Sequence, residues 1–370
     1  MISFEKVSKT YGKKKVVEDL SFTIESGERF ILIGPSGCGK TTTLRMLNRL
    51  EETSGGRIVK DGVDLKEVDV TELRRSIGYV IQQTGLFNHK TVEENIGIIL
   101  ELEGVEEEVR KRRVREVMKL VNLPYEDYHD AYPSELSGGQ RQRVGVARAL
   151  VIDPDVILMD EPFSALDPMT RADLQEEVLR LHEETKKTIV FVTHDMEEAM
   201  KLGQRILLMK DGHIGQLGTP EEFLRDPASD FVESFVGEGR IWDNPEFIKV
   251  KDFMDESPVI LDEALTVKEA LKHLSRQERE YFICTREGAY RGVLGTFELM
   301  ASDPEARLRE IFGSEAAILK EETTLPEVME LFKNPQVMAG VVFRGEAIVG
   351  LVTRAHLVRL LATRYEEVEG

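Results

Sequence analysis

The stretch Gly34-Pro35-Ser36-Gly37-Cys38-Gly39-Lys40-Thr41 has the residue types and spacing of a phosphate cradle. Its glycines let backbone N–H groups close on an anion, Lys40 can reach the β- and γ-phosphates of a nucleotide, and the Thr41 hydroxyl can ligate Mg²⁺. Thr42 continues into a helical pattern with Leu44, Met46 and Leu47. A second anion site lies in Leu136-Ser137-Gly138-Gly139-Gln140, where Ser137 can cap a helix carrying Val144, Val146, Ala147 and Leu150. There the helix dipole and free N–H groups add to the bare glycines. Two adjacent carboxylates, Asp160 and Glu161, end the apolar run 156–159. Successive strand side chains diverge, so the pair divides the work: Asp160 can hold Mg²⁺ beside Thr41, and Glu161 can polarise an attacking water. Gln82 and His194 also follow apolar runs, where an amide can reach Mg²⁺ or the water and an imidazole the γ-phosphate. One nucleotide with two cradles invites a dimer in which each cradle serves the nucleotide of the opposite copy.

The runs 30–33, 77–81, 156–159 and 188–193 are short and continuously apolar, as strands buried on both faces of a parallel sheet must be. Ligands in such sheets bind at the carboxyl ends of the strands, where the chemical residues fall. Residues 1–24 instead alternate apolar and polar, which predicts antiparallel strands with one exposed face. Tyr11 sits in the turn between them, either packing or stacking on a base. Thr84 to Thr91 reads as an exposed loop whose Leu86 and Phe87 offer a partner contact. Val92 to Met118 reads as helical and charge-rich, its Arg110–Arg115 cluster mixed with Glu106–Glu108 as a solvated face.

At 370 residues the chain is long enough for two cores. Its net charge of −19 argues against a role resting on nucleic-acid backbone contacts. No apolar run reaches the ~18 residues of a membrane span and no secretion pattern opens the chain, so a membrane role is expected to run through a partner. The two cysteines, Cys38 and Cys284, form no redox or metal motif and fit a reduced, cytosolic chain.

An internal repeat fills the C-terminal part. A shift of 58 positions without a gap superposes Ile260 on Ile318, Leu261 on Leu319, Glu263 on Glu321, Thr266 on Thr324 and Glu269 on Glu327. The same shift matches Arg286 with Arg344, Ala289 with Ala347, Gly292 with Gly350 and Leu299 with Leu357. Each copy reads strand, helix, two strands, helix.

In their order and spacing, Gly34–Thr41, Gln82, Leu136–Gln140, Asp160-Glu161, Ser164-Ala165-Leu166-Asp167 and His194 resemble an ABC transporter ATPase over residues 1–237. The resemblance implies an α/β fold: a P-loop core with a mixed sheet, a helical subdomain and N-terminal antiparallel strands. It implies that Tyr11 stacks on adenine, that Gly34, Ser36, Gly37, Cys38, Gly39, Lys40, Thr41 and Thr42 hold ATP, and that Thr41, Gln82 and Asp160 hold Mg²⁺. Glu161, His194 and Gln82 become the catalytic set. In a head-to-tail homodimer, Ser137, Gly139, Gln140 and Asp167 then cover the ATP of the other copy. A membrane permease, fed by a solute-binding protein, would be the partner, with the chain peripheral on the cytoplasmic face.

The segments IGYVIQQTGLF and FVTHDMEEA resemble the osmoprotectant branch, which imports glycine betaine, carnitine, choline or proline. After a linker over 238–252, which includes Gly239, residues 253–370 resemble a tandem CBS regulatory module. Where that family places a ribose-binding acid, the two copies have Glu298 and His356, with Thr353 kept only in the second. A histidine cannot accept from two ribose hydroxyls. The resemblance then leaves a structural role, ionic-strength sensing helped by the acidic end Glu366, Glu367 and Glu369, or cyclic di-AMP bound at the module.

Overall fold

The computed structural model describes residues 1–82, 84–237, 240–274, 280–311 and 315–369, with residues 240, 243 and 363–369 as backbone only. Gln83 of the doubled glutamine, Gly239 and the acidic side chains at the end lie outside this description. Contacts divide the chain into Met1–Val236 and Gly237–Gly370.

The N-terminal unit holds strands β1 (Ile2–Tyr11), β2 (Lys14–Ile24), β3 (Arg29–Ile33), β4 (Gly55–Lys60) and β5 (Val63–Asp64). They are followed by β6 (Ile77–Val80), β7 (Val156–Asp160), β8 (Thr188–Val192), β9 (Arg205–Lys210) and β10 (His213–Gly218). One sheet has the order β2-β1-β4-β5 and is antiparallel. The other, β10-β9-β3-β8-β7-β6, is parallel except for β10 against β9.

The continuous apolar runs follow from period-2 geometry applied to two cores at once. Ile31, Ile33, Ile157, Met159, Ile189 and Phe191 enter the core beneath the helices. Their neighbours Phe30, Leu32, Val156, Leu158, Val190 and Val192 enter the core shared with the antiparallel sheet. A stack of Phe4 on Phe22 and Phe22 on Phe30, centroids 4.3 and 5.4 Å apart, joins the two sheets.

The stretch from Val92 is helical as the sequence pattern predicts, in two helices, Val92–Leu102 and Glu107–Leu120. Gly104 breaks it at φ +73°, a conformation glycine adopts without Cβ strain. Leu86 is packed against the core and only Phe87 of the predicted apolar pair is exposed.

The C-terminal unit contains β11 (Ile260–Asp262), β12 (Tyr281–Arg286) and β13 (Ala289–Gly295), then β14 (Glu315–Lys320), β15 (Val337–Arg344) and β16 (Ala347–Thr353). The 58-residue shift carries over to the ladder registers. Ile260 pairs with Ile283 and Ile318 with Val341; Tyr281 pairs with Gly295 and Ala339 with Thr353. Both copies break register at the same place, after Cys284 and after Val342. Four of the repeated identities prove to be two interactions. Glu263 pairs with Arg286 as Glu321 does with Arg344, and Glu269 caps the helix at Thr266 as Glu327 does at Thr324.

The copies also exchange their lead-in segments. The N–H groups of Val250 and Lys251 donate to Thr323 and Glu321 of the second copy, while those of Leu308 and Arg309 donate to Leu265 and Glu263 of the first. Val250, which the sequence reading places in the linker, is fully buried in the second copy's core with Leu319 and Val328. Lys249 and Lys251 each approach Glu322 at 2.8 Å and hold its carboxyl down at about 2.

Candidate functional site

Strand β3 delivers the chain into the cradle, where two glycines are sterically required. A Cβ on Gly34 (φ +148°) would lie 2.2 Å from the Met209 carbonyl oxygen, and one on Gly39 (φ +110°) 2.9 Å from that of Val16. The buried Lys40 ammonium donates to the carbonyl oxygens of Gly34 and Pro35 at 2.7 and 3.0 Å, inside the bend of the loop. Lys40 opens the helix Lys40–Leu47. Cys38 is buried, and burial pushes its thiol pKa up, so it serves the loop through its backbone and volume.

The strand order β3-β8-β7-β6 sets the other chemical residues side by side at the carboxyl edge of the sheet. The Thr41 hydroxyl donates to Asp160 at 3.0 Å. Burial raises the pKa of Asp160, which makes a cation beside it favourable. Glu161 turns the chain at φ +44°, the left-handed region that costs a non-glycine residue energy and gathers at functional sites. Its Oε2 accepts from Gln82 Nε2 at 3.2 Å and lies 3.5 Å from His194 Nδ1, so one carboxylate oxygen gathers residues from the ends of β6, β7 and β8.

A cleft of about 500 Å³ is lined by Tyr11, Ser36, Gly37, Gly39, Lys40, Thr41, Thr42, Glu161 and His194, together with Lys14 and Val16. Tyr11 is 44% exposed, with the Lys9 ammonium over its ring, 4.8 Å from the centroid. Gly34, Cys38, Gln82 and Asp160 are not among the residues that line the cleft. Among the described residues no cluster of three His, Cys, Asp or Glu could hold a metal alone. Thr41 and Asp160, 3.0 Å apart, offer oxygen donors of the kind Mg²⁺ takes, with phosphate oxygens and water to complete its shell.

Ser137, Gly139, Gln140 and Asp167 do not line this cleft. Ser137 caps the helix Gly138–Leu150 in a reciprocal box: its hydroxyl accepts from Gln140 N–H at 3.3 Å and Gln140 Oε1 accepts from Ser137 N–H at 2.8 Å. Gln140 Nε2 also donates to the Tyr128 hydroxyl at 3.0 Å. Gly139 is buried against Thr170, where a Cβ would come within 2.4 Å of Cγ2. Asp167 is exposed and caps the helix Pro168–Thr185 through Thr170 N–H at 3.1 Å. The second cradle is therefore a formed, outward-facing helix start apart from the first.

Sequence reasoning missed the support behind His194. Buried Glu198 accepts from the Thr193 hydroxyl at 2.6 Å and from Gln175 Nε2 at 3.4 Å, tying the histidine loop to the helix that Asp167 caps. The signal was a glutamate on the buried side of a short helix beside Met196, Ala199 and Met200. In the C-terminal unit, Glu298 accepts from Gly295 N–H at 2.8 Å, and His356 Nδ1 accepts from Thr353 N–H at 3.1 Å. Both residues at the ribose-acid position thus cap their own helices.

Comparisons with known proteins agree with this geometry. The ABC transporter family matches residues 17–164 and the CBS domain family matches 250–304 and 308–363. The chain is 44% identical, over 100% of its length and 98% of the relative's, to the glycine betaine/carnitine/choline transport ATP-binding protein OpuCA of Bacillus subtilis. It is 45% identical to the choline transport ATP-binding protein OpuBA of the same organism, covering 98% of this chain and 96% of that one. Among solved structures, the dimeric ATP-binding cassette MJ0796 in a post-hydrolysis state with ADP and Pi matches at 34% identity and TM-score 0.55, covering 60% of this chain and 99% of that one. The chain belongs to the ABC transporter family, as an ATP-hydrolysing subunit of the osmoprotectant branch with CBS domains following its ATPase core.

Proposed function

We propose that ATP hydrolysis by this chain powers uptake of a quaternary-ammonium osmoprotectant of the glycine betaine, carnitine, choline or proline type. Uptake runs through a separate membrane permease supplied by a solute-binding protein. The observation that carries the reading is similarity along the whole chain, CBS part included, to subunits named for transport of glycine betaine, carnitine and choline. In this reading the chain sits on the cytoplasmic face of the membrane. No described helix is long and apolar enough to cross it.

At the site, Lys40 and the N–H groups of the Gly34–Thr42 loop bind the phosphates and Tyr11 stacks on adenine. Thr41, Asp160 and Gln82 hold Mg²⁺, whose charge offsets that of the phosphates. Glu161 takes the proton of the attacking water, while Gln82 and His194 hold the carboxylate and the γ-phosphate in line. In a head-to-tail homodimer, Ser137, Gly139, Gln140 and Asp167 of the second copy close the cleft. Among those, the outward-facing start of the helix Gly138–Leu150 supports closure, because Ser137 and Gly138 are exposed at its anion-binding end.

Regulation belongs to the CBS part. Because Glu298 and His356 already cap helices, cyclic di-AMP is the regulatory ligand we expect, in preference to AMP or ATP read through ribose hydroxyls. Calorimetric titration with each nucleotide separates them.

The test of the main reading is reconstitution of the chain with its permease and binding protein in vesicles. ATP-dependent accumulation of radiolabelled choline, carnitine or glycine betaine is expected. Accumulation of a different solute class alone would assign another importer, and ATP hydrolysis with no solute moved would refute the transport reading.

A further inference from the structure

A lysine stands where strand β1 otherwise turns apolar residues inward. Ile2, Phe4, Val7 and Lys9 are the buried positions of that strand, and the ladder to β2 shifts register on both sides of Lys9. Irregularities of this kind re-aim a side chain. A buried ammonium is costly unless it is paired, and Lys9 is paired twice at one turn. It donates to the Glu52 carbonyl oxygen at 2.7 Å and meets the Glu51 carboxylate at 2.8 Å. Tyr11 follows two positions later, and the same ammonium stands over its ring, 4.8 Å from the centroid.

The turn that holds Lys9 belongs to the phosphate cradle. The N–H groups of Leu50 and Glu51 donate to the Arg45 carbonyl oxygen at 2.9 and 3.3 Å, in the last turn of the helix Lys40–Leu47. The strand backbone is tied to this turn on each side of Lys9. Ser54 N–H donates to the Ser8 carbonyl oxygen at 2.8 Å, and Thr10 N–H donates to Ser54 Oγ at 3.0 Å. Glu51 also faces the Tyr11 phenol; Lys9 foremost, with the phenol, holds its carboxyl below the usual carboxylate range. Burial, with Glu51 beside it, pushes the phenol up, so it stays a neutral hydrogen-bond donor. Tyr11 and Lys40 line one cleft, and Lys9 joins the ring to the far end of the helix that begins at Lys40.

We propose that Lys9 is a positioning residue for the nucleotide base: it fastens the Tyr11 ring to the cradle helix and takes one face of that ring, leaving the other for the purine. The spacing between base and phosphates is then set before the nucleotide arrives, so part of the preference for a nucleotide over a bare polyphosphate comes from Lys9. This rests on the reading that Tyr11 stacks on adenine.

Calorimetric titration of the full chain with Mg²⁺-ADP and with Mg²⁺-pyrophosphate tests it, because pyrophosphate fills the cradle without a base. Lys9→Met keeps an apolar stem and removes the charge. It is expected to weaken ADP about fivefold or more and to change pyrophosphate less than about twofold. Glu51→Ala removes the carboxylate from Lys9 at a partly exposed site. It is expected to act in the same direction, and it decides the matter if Lys9→Met does not fold. ADP affinity at the wild-type level would overturn the proposal. So would equal weakening of both ligands, which marks a damaged cradle. Tyr11→Ala tells the two readings apart. If it weakens ADP while Lys9→Met and Glu51→Ala do not, Lys9 alone loses its role; if it leaves ADP binding unchanged, the stacking reading falls and the proposal with it.

Discussion

Thr41 and Asp160, 119 residues apart in the chain, share a hydrogen bond of 3.0 Å. That contact brings the start of the helix after β3 to the end of β7, beside Glu161, the next residue along. The two adjacent carboxylates are placed differently: Asp160 is buried and bonded to the cradle's Thr41, while Glu161 turns at φ +44° into the cleft.

Glu161→Gln keeps the shape and the contacts to Gln82 but removes the base. Steady-state phosphate release is expected to fall by roughly 10²-fold or more. ATP binding, read by fluorescent-nucleotide titration, is expected to remain and to leave a persistent closed dimer on size exclusion. Hydrolysis near the wild-type rate would remove Glu161 from the mechanism.

Gly34→Ala meets the Met209 carbonyl oxygen at 2.2 Å in a backbone conformation that L side chains avoid. A stability loss on the order of 2–4 kcal/mol is expected, together with loss of nucleotide binding. Thermal unfolding with and without ATP measures both, and a variant that melts and binds like wild type would contradict the steric account.

His182 predicts a pH effect of definite sign. It is buried, its Nδ1 accepts from Arg29 Nη1 at 2.7 Å and its Nε2 donates to the Gly27 carbonyl oxygen at 2.8 Å, which is the neutral ring. Burial, with Arg29 adding to it, lowers the folded pKa below the unfolded value of about 6.5. The unfolded chain therefore takes up the proton first. The contribution is complete above about pH 6.5 and is lost as pH falls through the folded pKa. Melting temperature is expected to fall between pH 7 and 5 more steeply in wild type than in His182→Gln, and equal slopes would refute the assignment.

In the C-terminal unit, two substitutions separate ornament from structure. Val250→Ala removes a fully buried side chain from the exchanged lead-in and is expected to cost ~2 kcal/mol. Glu321→Gln breaks a repeated ion pair whose Arg344 is exposed and is expected to leave stability nearly unchanged. Hydrogen exchange at the amides of Val250, Lys251 and Leu325 reads the difference; the reverse order would contradict the exchange of segments.

Much of this molecule was legible in its sequence because the informative signals are local. The cradle is a contiguous motif, the buried strands announce themselves by length and apolarity, and a gapless 58-residue shift transfers whole ladder registers. What escaped is non-local. The exchange of Val250 and Leu308 between the repeats leaves no periodic trace, and Glu198 is a polar residue on the buried side of an apolar helical pattern. A helical pattern averages over such a residue, whereas its partners lie on other elements.

The account stands on a nucleotide shared between two copies, and the structure of the Glu161→Gln chain loaded with ATP and Mg²⁺ tests it most directly. We predict a head-to-tail dimer in which each γ-phosphate lies between Lys40 of one copy and the Ser137 hydroxyl of the other. A nucleotide held at Lys40 with residue 137 of every copy far from it would contradict the account.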